Sequence, residues 1–262
     1  MTSNLSNIYT SLASFPGAYV TDACEMSQML NEDPFYGCLS GKKIQLVPQN
    51  RGYLDEEIAE KLVQTYPQVE FRLHANVRIA HDGTNVLKIV DLSNYDKNIQ
   101  WFQAAARVSK ILNAKAYTLH SGYVKNASLQ KVLDTCKELQ NLFDCKVGIE
   151  GQYPTAKNDL LLTTWEDYAE MLESGCFYAL DLSHLNIVQR KLGPNMTLCK
   201  ELVSSENCIE LHISDNNGFA DIHSSIREEP WWHELFLYVQ RHNTSCDIFY
   251  EGNLRKTNQV YE

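Results

Sequence analysis

"KVGIEGQYPTAKNDLLLTTWEDYAEMLESGCFYALDLSH" (146–184) contains one full period of the pattern that decides the fold. The run "KVGIEGQ" (146–152) is short, apolar and bounded by polar residues, the signature of a buried strand. "TTWEDYAEMLES" (163–174) has helical character, and "CFYALDLS" (176–183) returns to a strand. A strand, a helix and a second strand in this order predict a βαβ unit with its two strands parallel. Each strand closes on an acid, Glu150 in the first and Asp181 in the second.

The same period extends in both directions. Further strands are predicted at 7–13, 42–48, 69–75, 115–121, 208–214 and 246–252. Helices are predicted at 54–66, where acids in the first turn complement the helix dipole, and at 98–113, 128–143, 195–205 and 230–242. The last of these opens on a proline, a favoured first helical residue. Eight strands alternating with helices over 262 residues predict an α/β fold, the (β/α)8 TIM barrel, as a single domain over 1–262 with its last helix short or missing. An open doubly wound sheet shares the alternation and is the competing architecture. No linker, repeat or low-complexity tract interrupts the chain.

Composition narrows the function. The 44% hydrophobic and 21% charged fractions are those of an ordinary globular protein. No apolar run approaches the roughly 18 residues a bilayer span requires. The first twenty residues have no basic segment followed by an apolar one, so no secretory leader is expected. The eight cysteines are scattered without a CxxC pair, which argues against a thiolate metal site and for free thiols in the cytoplasm. A net charge of −10 without a Lys/Arg stripe disfavours nucleic acid as partner without excluding it, and no membrane partner is expected.

Six strands end on an ionisable residue: His74, His120, Glu150, Asp181, His212 and Glu251. The middle steps are 30, 31 and 31 residues, one βα unit each. In a barrel these ends meet at one mouth, where active sites lie. His184 follows Asp181 by three residues, and "DIH" returns Asp221 and His223 to the same region. Any one histidine here, taken alone, reads first as an ordinary core or surface residue, and Glu150 or Asp181 alone as a helix N-cap or a salt-bridge partner. The convergence of all nine is what a packed core does not need, because buried ionisable groups are costly unless paired or metal-bound. Four carboxylates and five imidazoles without thiolate suit zinc, manganese, magnesium, iron or cobalt. Four or five ligands saturate one ion, so nine leave room for two or three, or for one ion plus acid/base residues. His81, His233 and His242 fit no strand end, and Trp231–Trp232 reads as packing.

"YTLHSGY", "VGIEGQYP", "YALDLSHLNI", "ELHISDNNGFADIHSSI" and "IFYEGN" resemble, in order, motifs of the xylose isomerase-like TIM-barrel superfamily. The superfamily includes sugar and sugar-phosphate isomerases and epimerases and the family 2 (endonuclease IV type) AP endonucleases. The isomerase branch implies one divalent ion held by Glu150, Asp181, His212 and Glu251. The two glutamates would then move protons and His184 would contact a substrate oxygen. The endonuclease branch implies a trinuclear zinc site, with His74, His120, Glu150, Asp181, His184, His212, Asp221, His223 and Glu251 as its candidates, acting on a phosphodiester. The chain departs from the isomerases at Gln45, where many carry a glutamate, and in "SSIREEPWW" after His223.

The leading expectation is therefore a metal-dependent isomerase or epimerase of a small sugar, keto-sugar or sugar-phosphate, with Glu150, Glu251 and His184 as catalytic residues. The alternatives are a di- or trinuclear phosphodiester hydrolase and a metal-dependent protein that modifies or binds a peptide. Lys125 and Arg227 are the cations best placed in sequence to meet a phosphate.

Overall fold

The computed structural model describes residues 8–29, 32–33, 35–80 and 88–255. The barrel strands are β1 (Ile8–Ser11), β4 (Ser40–Leu46), β5 (Glu70–His74), β6 (Ala116–His120), β7 (Lys146–Glu150), β8 (Phe177–Asp181), β9 (Cys208–Ile213) and β10 (Asp247–Tyr250). They close in the order β1-β10-β9-β8-β7-β6-β5-β4, every pair parallel, which rules out the open doubly wound sheet. A two-stranded antiparallel ribbon, β2 (Glu32–Asp33) with β3 (Gly37–Cys38), stands apart from the barrel.

Helices α1 (Val20–Gln28), α2 (Glu56–Thr65), α3 (Ile99–Ile111), α4 (Leu129–Phe143), α5 (Trp165–Glu173), α6 (Leu182–Leu192), α7 (Met196–Ser204) and α8 (His233–His242) accompany them. Six match the expected segments; α1 and α6 do not appear among them. Local chemistry starts and stops these helices. The Asp55 side chain accepts from Ile58 N at the head of α2, and Ser128 from Lys131 N at the head of α4. Thr164 and Asp167 form a reciprocal capping box on α5. No helix follows β10 among the described residues, which end at Arg255. None of the described helices is long and apolar enough to cross a membrane.

Register sets the strand ends at one height. His120 pairs with Glu150, Glu150 lies level with Ala179, and Asp181 pairs with His212. Outward-facing strand residues pack against the helices, as Tyr117 does on Phe143. The described cysteine side chains are free, and Cys24, Cys136, Cys176, Cys199, Cys208 and Cys246 are buried. Trp232 is buried and stacks on Tyr36, while His233 and His242 belong to α8; His81 lies outside the described residues.

The turn after β6 leaves no room for a side chain. Gly122 has φ +95°, and a Cβ there would sit 2.2 Å from Asp91 Oδ1 and 2.4 Å from Ser93 Oγ. Gly122→Ala therefore combines strained backbone with a collision against a buried hydrogen-bonded pair. We expect a loss of about 3 kcal/mol, or roughly 10 °C in Tm at this chain length, read by thermal unfolding. An unchanged Tm would contradict it.

Candidate metal centre

The structure brings together all nine residues singled out from the sequence. Eight of them line one cavity of about 110 Å3 at the C-terminal mouth of the barrel, with Gln49, Gln152 and Tyr153 completing its wall. The ninth, His212, lies fully buried.

Glu150, at the end of β7, joins two groups of ligand atoms. Its Oε2 lies 2.9 Å from His120 Nε2 and 3.5 Å from His74 Nε2, while Oε1 lies 3.0 Å from His212 Nδ1. The tautomer of His74 follows from its neighbours. The Thr118 hydroxyl donates to Glu210 Oε2 at 2.8 Å, so its oxygen accepts from His74 Nδ1–H at 3.0 Å. His74 Nε2 is left as a lone pair facing a carboxylate oxygen. Burial lowers the His74 pKa to about 3, with His212 and His120 adding to the effect and Glu150 opposing it, so the ring is neutral.

A third group forms where α6 and the β9–α8 loop meet. Asp181 is both the last residue of β8 and the N-cap of α6: Oδ1 accepts from Ser183 N and His184 N, and Oδ2 lies 3.6 Å from His184 Nε2. His184 Nδ1–H donates to the Gly151 carbonyl at 2.8 Å, which turns Nε2 toward Asp221 Oδ2 at 3.3 Å. His223 Nε2 lies 3.0 Å from the same oxygen, and its Nδ1 3.4 Å from Glu251 Oε2. The loop doubles back through paired backbone bonds between Asp215 and Ser224, which hold His223 at φ +44°. Left-handed backbone at a non-glycine residue costs energy that the surrounding contacts must supply, and here it aims an imidazole into the cavity.

These atoms fit divalent ions. Ligands bonded at about 2.0–2.1 Å around a tetrahedral ion sit roughly 3.3 Å apart, close to the separations found. Glu150 Oε2 and His223 Nδ1 are buried without a hydrogen bond. Among the described residues, three groups of ligand atoms lie close enough to share an ion: His74–His120–Glu150, His74–His212–Glu251 and Glu150–Asp181–His184. Nitrogen and oxygen donors without sulfur suit zinc, manganese or magnesium.

Without ions, protons hold the carboxylates together. Burial opposes charge on His184 and His212, but Asp181 and Asp221 beside the one, and Glu251 and Glu150 beside the other, raise their pKa well above the usual value. His223 is raised to about 9, Asp221 and Glu251 outweighing burial. Metal ligation requires neutral imidazole, so ion uptake must displace these protons. Adding zinc to chelator-stripped protein at pH 7 should release up to three protons per chain, and affinity should climb with pH above neutrality. An indicator dye in weak buffer measures the release; no acidification on binding would contradict it.

One functional layer escaped the sequence reading. Glu210 lies beneath the cavity, fully buried, with Oε2 3.3 Å from His212 Nε2, and Gln45 Nε2 donates to that oxygen at 3.1 Å. A carboxylate behind a ligating imidazole orients the ring and raises its basicity. The signal was present in "CIELHIS", because residues two apart in a strand share a face and Glu210 must point inward with His212.

No protein-family model matches the chain, and no curated protein matches it. Solved structures do. A D-tagatose 3-epimerase-like protein superposes with a TM-score of 0.68 at 18% identity, covering 97% of this chain and 93% of its own. The IolI protein with a bound zinc atom gives 0.67 at 14%, covering 97% and 91%. A family 2 AP endonuclease from Brucella melitensis gives 0.61 at 13%, covering 95% and 93%. The chain thus has the fold of the superfamily that its motifs resemble, over nearly its whole length.

Proposed function

We propose that the nine side chains hold two or three divalent ions and that the protein is a hydrolase of phosphate esters, with phosphodiesters as the class it suits best. The observation that carries this reading is Glu150, which offers one oxygen to His74 and His120 and the other to His212. A single ion has no use for so many donors, whereas a multinuclear site needs such a bridge. Bound ions would supply Lewis acidity and neutralise charge developing on a phosphoryl oxygen. Four carboxylates around the cavity would otherwise repel an anionic ester, so occupancy by cations precedes substrate entry. The chain itself orients three of the five imidazoles, His74 through Thr118, His184 through Gly151 and His212 through Glu210. Arg227 lines a second cavity of about 310 Å3 that shares His223, within reach of an ester too long for the metal cavity alone.

A second reading, isomerisation or epimerisation of a keto-sugar at one ion, draws support from the two glutamates. Burial raises the Glu251 pKa, whereas at Glu150 burial is outweighed by His74 and His120, and the pKa falls well below the usual value. Carboxyls driven apart in this way can serve as acid and base. The likeness to a D-tagatose 3-epimerase-like protein agrees with it.

Elemental analysis of the purified protein, with assays on bis(p-nitrophenyl) phosphate, an abasic-site DNA duplex and D-tagatose, separates the two readings. Two or three ions per chain and chelator-sensitive phosphodiester cleavage are expected. One ion with keto-sugar turnover would install the second reading in its place.

A further inference from the structure

Two of the residues lining the metal cavity are neutral donors with no hydrogen-bond partner among the described residues. Gln152 is only 7% exposed, yet its Nε2 has no hydrogen-bond partner. Its main chain is clamped on both sides: the amide donates to the Leu162 carbonyl at 2.9 Å, and the carbonyl accepts from the Tyr168 hydroxyl at 3.0 Å. Gly151 before it has no space for a side chain, since a Cβ would lie 2.3 Å from the Tyr168 ring. The turn therefore cannot shift to find the amide a partner. Tyr153 follows, half-buried, with its ring 4.8 Å from that of His184 and no hydrogen bond to its hydroxyl among the described residues. Buried donors are nearly always paired, and one that is not calls for a partner from outside the chain.

We propose that Gln152 and Tyr153 are substrate-binding residues that donate hydrogen bonds to oxygens of an oxyanion, on the reading that the substrate is a phosphate ester. An amide nitrogen and a phenol can donate, and phosphoryl oxygens can only accept, so the pair recognises the ester by chemistry that the four carboxylates of the cavity lack. A sugar hydroxyl would differ, because it can also donate.

That difference gives the test. Metal-loaded wild type, Q152L, Q152E and Y153F are titrated with inorganic phosphate by calorimetry and assayed on bis(p-nitrophenyl) phosphate, with metal content measured in each. All four should hold the same number of ions. Phosphate affinity should fall about tenfold in Q152L and Y153F and about a hundredfold in Q152E, where an acceptor meets an acceptor. Wild-type affinity and rate in Q152L and Y153F would overturn the proposal and leave the hydrolase reading standing. Should Q152L misfold, Q152E decides, because it is isosteric: affinity equal to wild type overturns the proposal. If metal-loaded wild type neither binds phosphate nor cleaves the ester, the hydrolase reading fails, and the proposal fails with it.

Discussion

Glu150→Ala should strip the centre of most of its metal and lower any metal-dependent rate by at least about a thousandfold. Both oxygens of this carboxylate face imidazoles, and its removal leaves His74, His120 and His212 clustered without the carboxylate they share. His74 and His212 already stand with ring centroids 4.6 Å apart. An ion shared by His74 and His120 would then lose its carboxylate, while the His74–His212 pair would keep only Glu251. The barrel should survive, because Glu150 ends its strand and its side chain forms no part of the apolar core. Circular dichroism checks the fold, elemental analysis the ions, and the phosphodiester assay the rate. Glu150→Gln preserves shape and halves the ligating oxygens, so it should fall between wild type and alanine. Full ion content in both Glu150→Ala and His212→Ala would remove the basis for a metal centre.

The barrel was legible because its strands are short and apolar, alternate with helices, and from β6 to β9 start 30 or 31 residues apart. What was not legible has particular causes. Helix α6 begins at Leu182, immediately after β8, because Asp181 caps the helix while still ending the strand. Reading "CFYALDLS" as strand to residue 183 ran past a junction that contains no loop. Helix α1 buries Val20, Ala23, Cys24 and Ser27 at helical spacing, but three of the four are small, and the stripe carries little hydrophobic contrast. In the site, each ligand type was visible at its strand end. The sharing of Glu150 between two groups was not, since it depends on which oxygen faces which ring. That sharing moves our proposal from the isomerase expected first to the hydrolase expected second. Gln45 shows the same limit: a departure from the isomerase pattern in sequence, it sits in space under the site as a donor to Glu210.

Arg72→Met should cost the protein about 3–5 kcal/mol, roughly 10 °C in Tm, although Arg72 touches no candidate ligand. Residues 70, 72 and 74 alternate inward along β5, so one strand contributes an acid, a base and a metal-site histidine to successive levels of the barrel. At the lowest level the Arg72 guanidinium pairs with Asp247 and, at 2.8 Å, with Glu70, while Lys43 reaches Asp247 at 2.7 Å. Above it Gln45 and Thr118 both donate to Glu210, and above them stand His74 and His212. The axis of this barrel is thus a column of polar contacts where branched apolar layers are usual. Burial raises the Asp247 pKa even with Arg72 and Lys43 opposing it, and Arg72 helps His212 keep Glu210 charged. With methionine at position 72, Asp247 retains Lys43 alone, and Glu210 retains His212 but loses the more distant charge of Arg72. Each then has a folded-state pKa above its value in the wild-type fold, so the destabilisation is fully present at neutral pH and shrinks as acid protonates them. Thermal unfolding of metal-free wild type and variant at pH 7 and pH 5 should show the gap in Tm narrowing at the lower pH. A gap that stays constant would mean that lost packing, and not an uncompensated charge, is what Arg72 prevents.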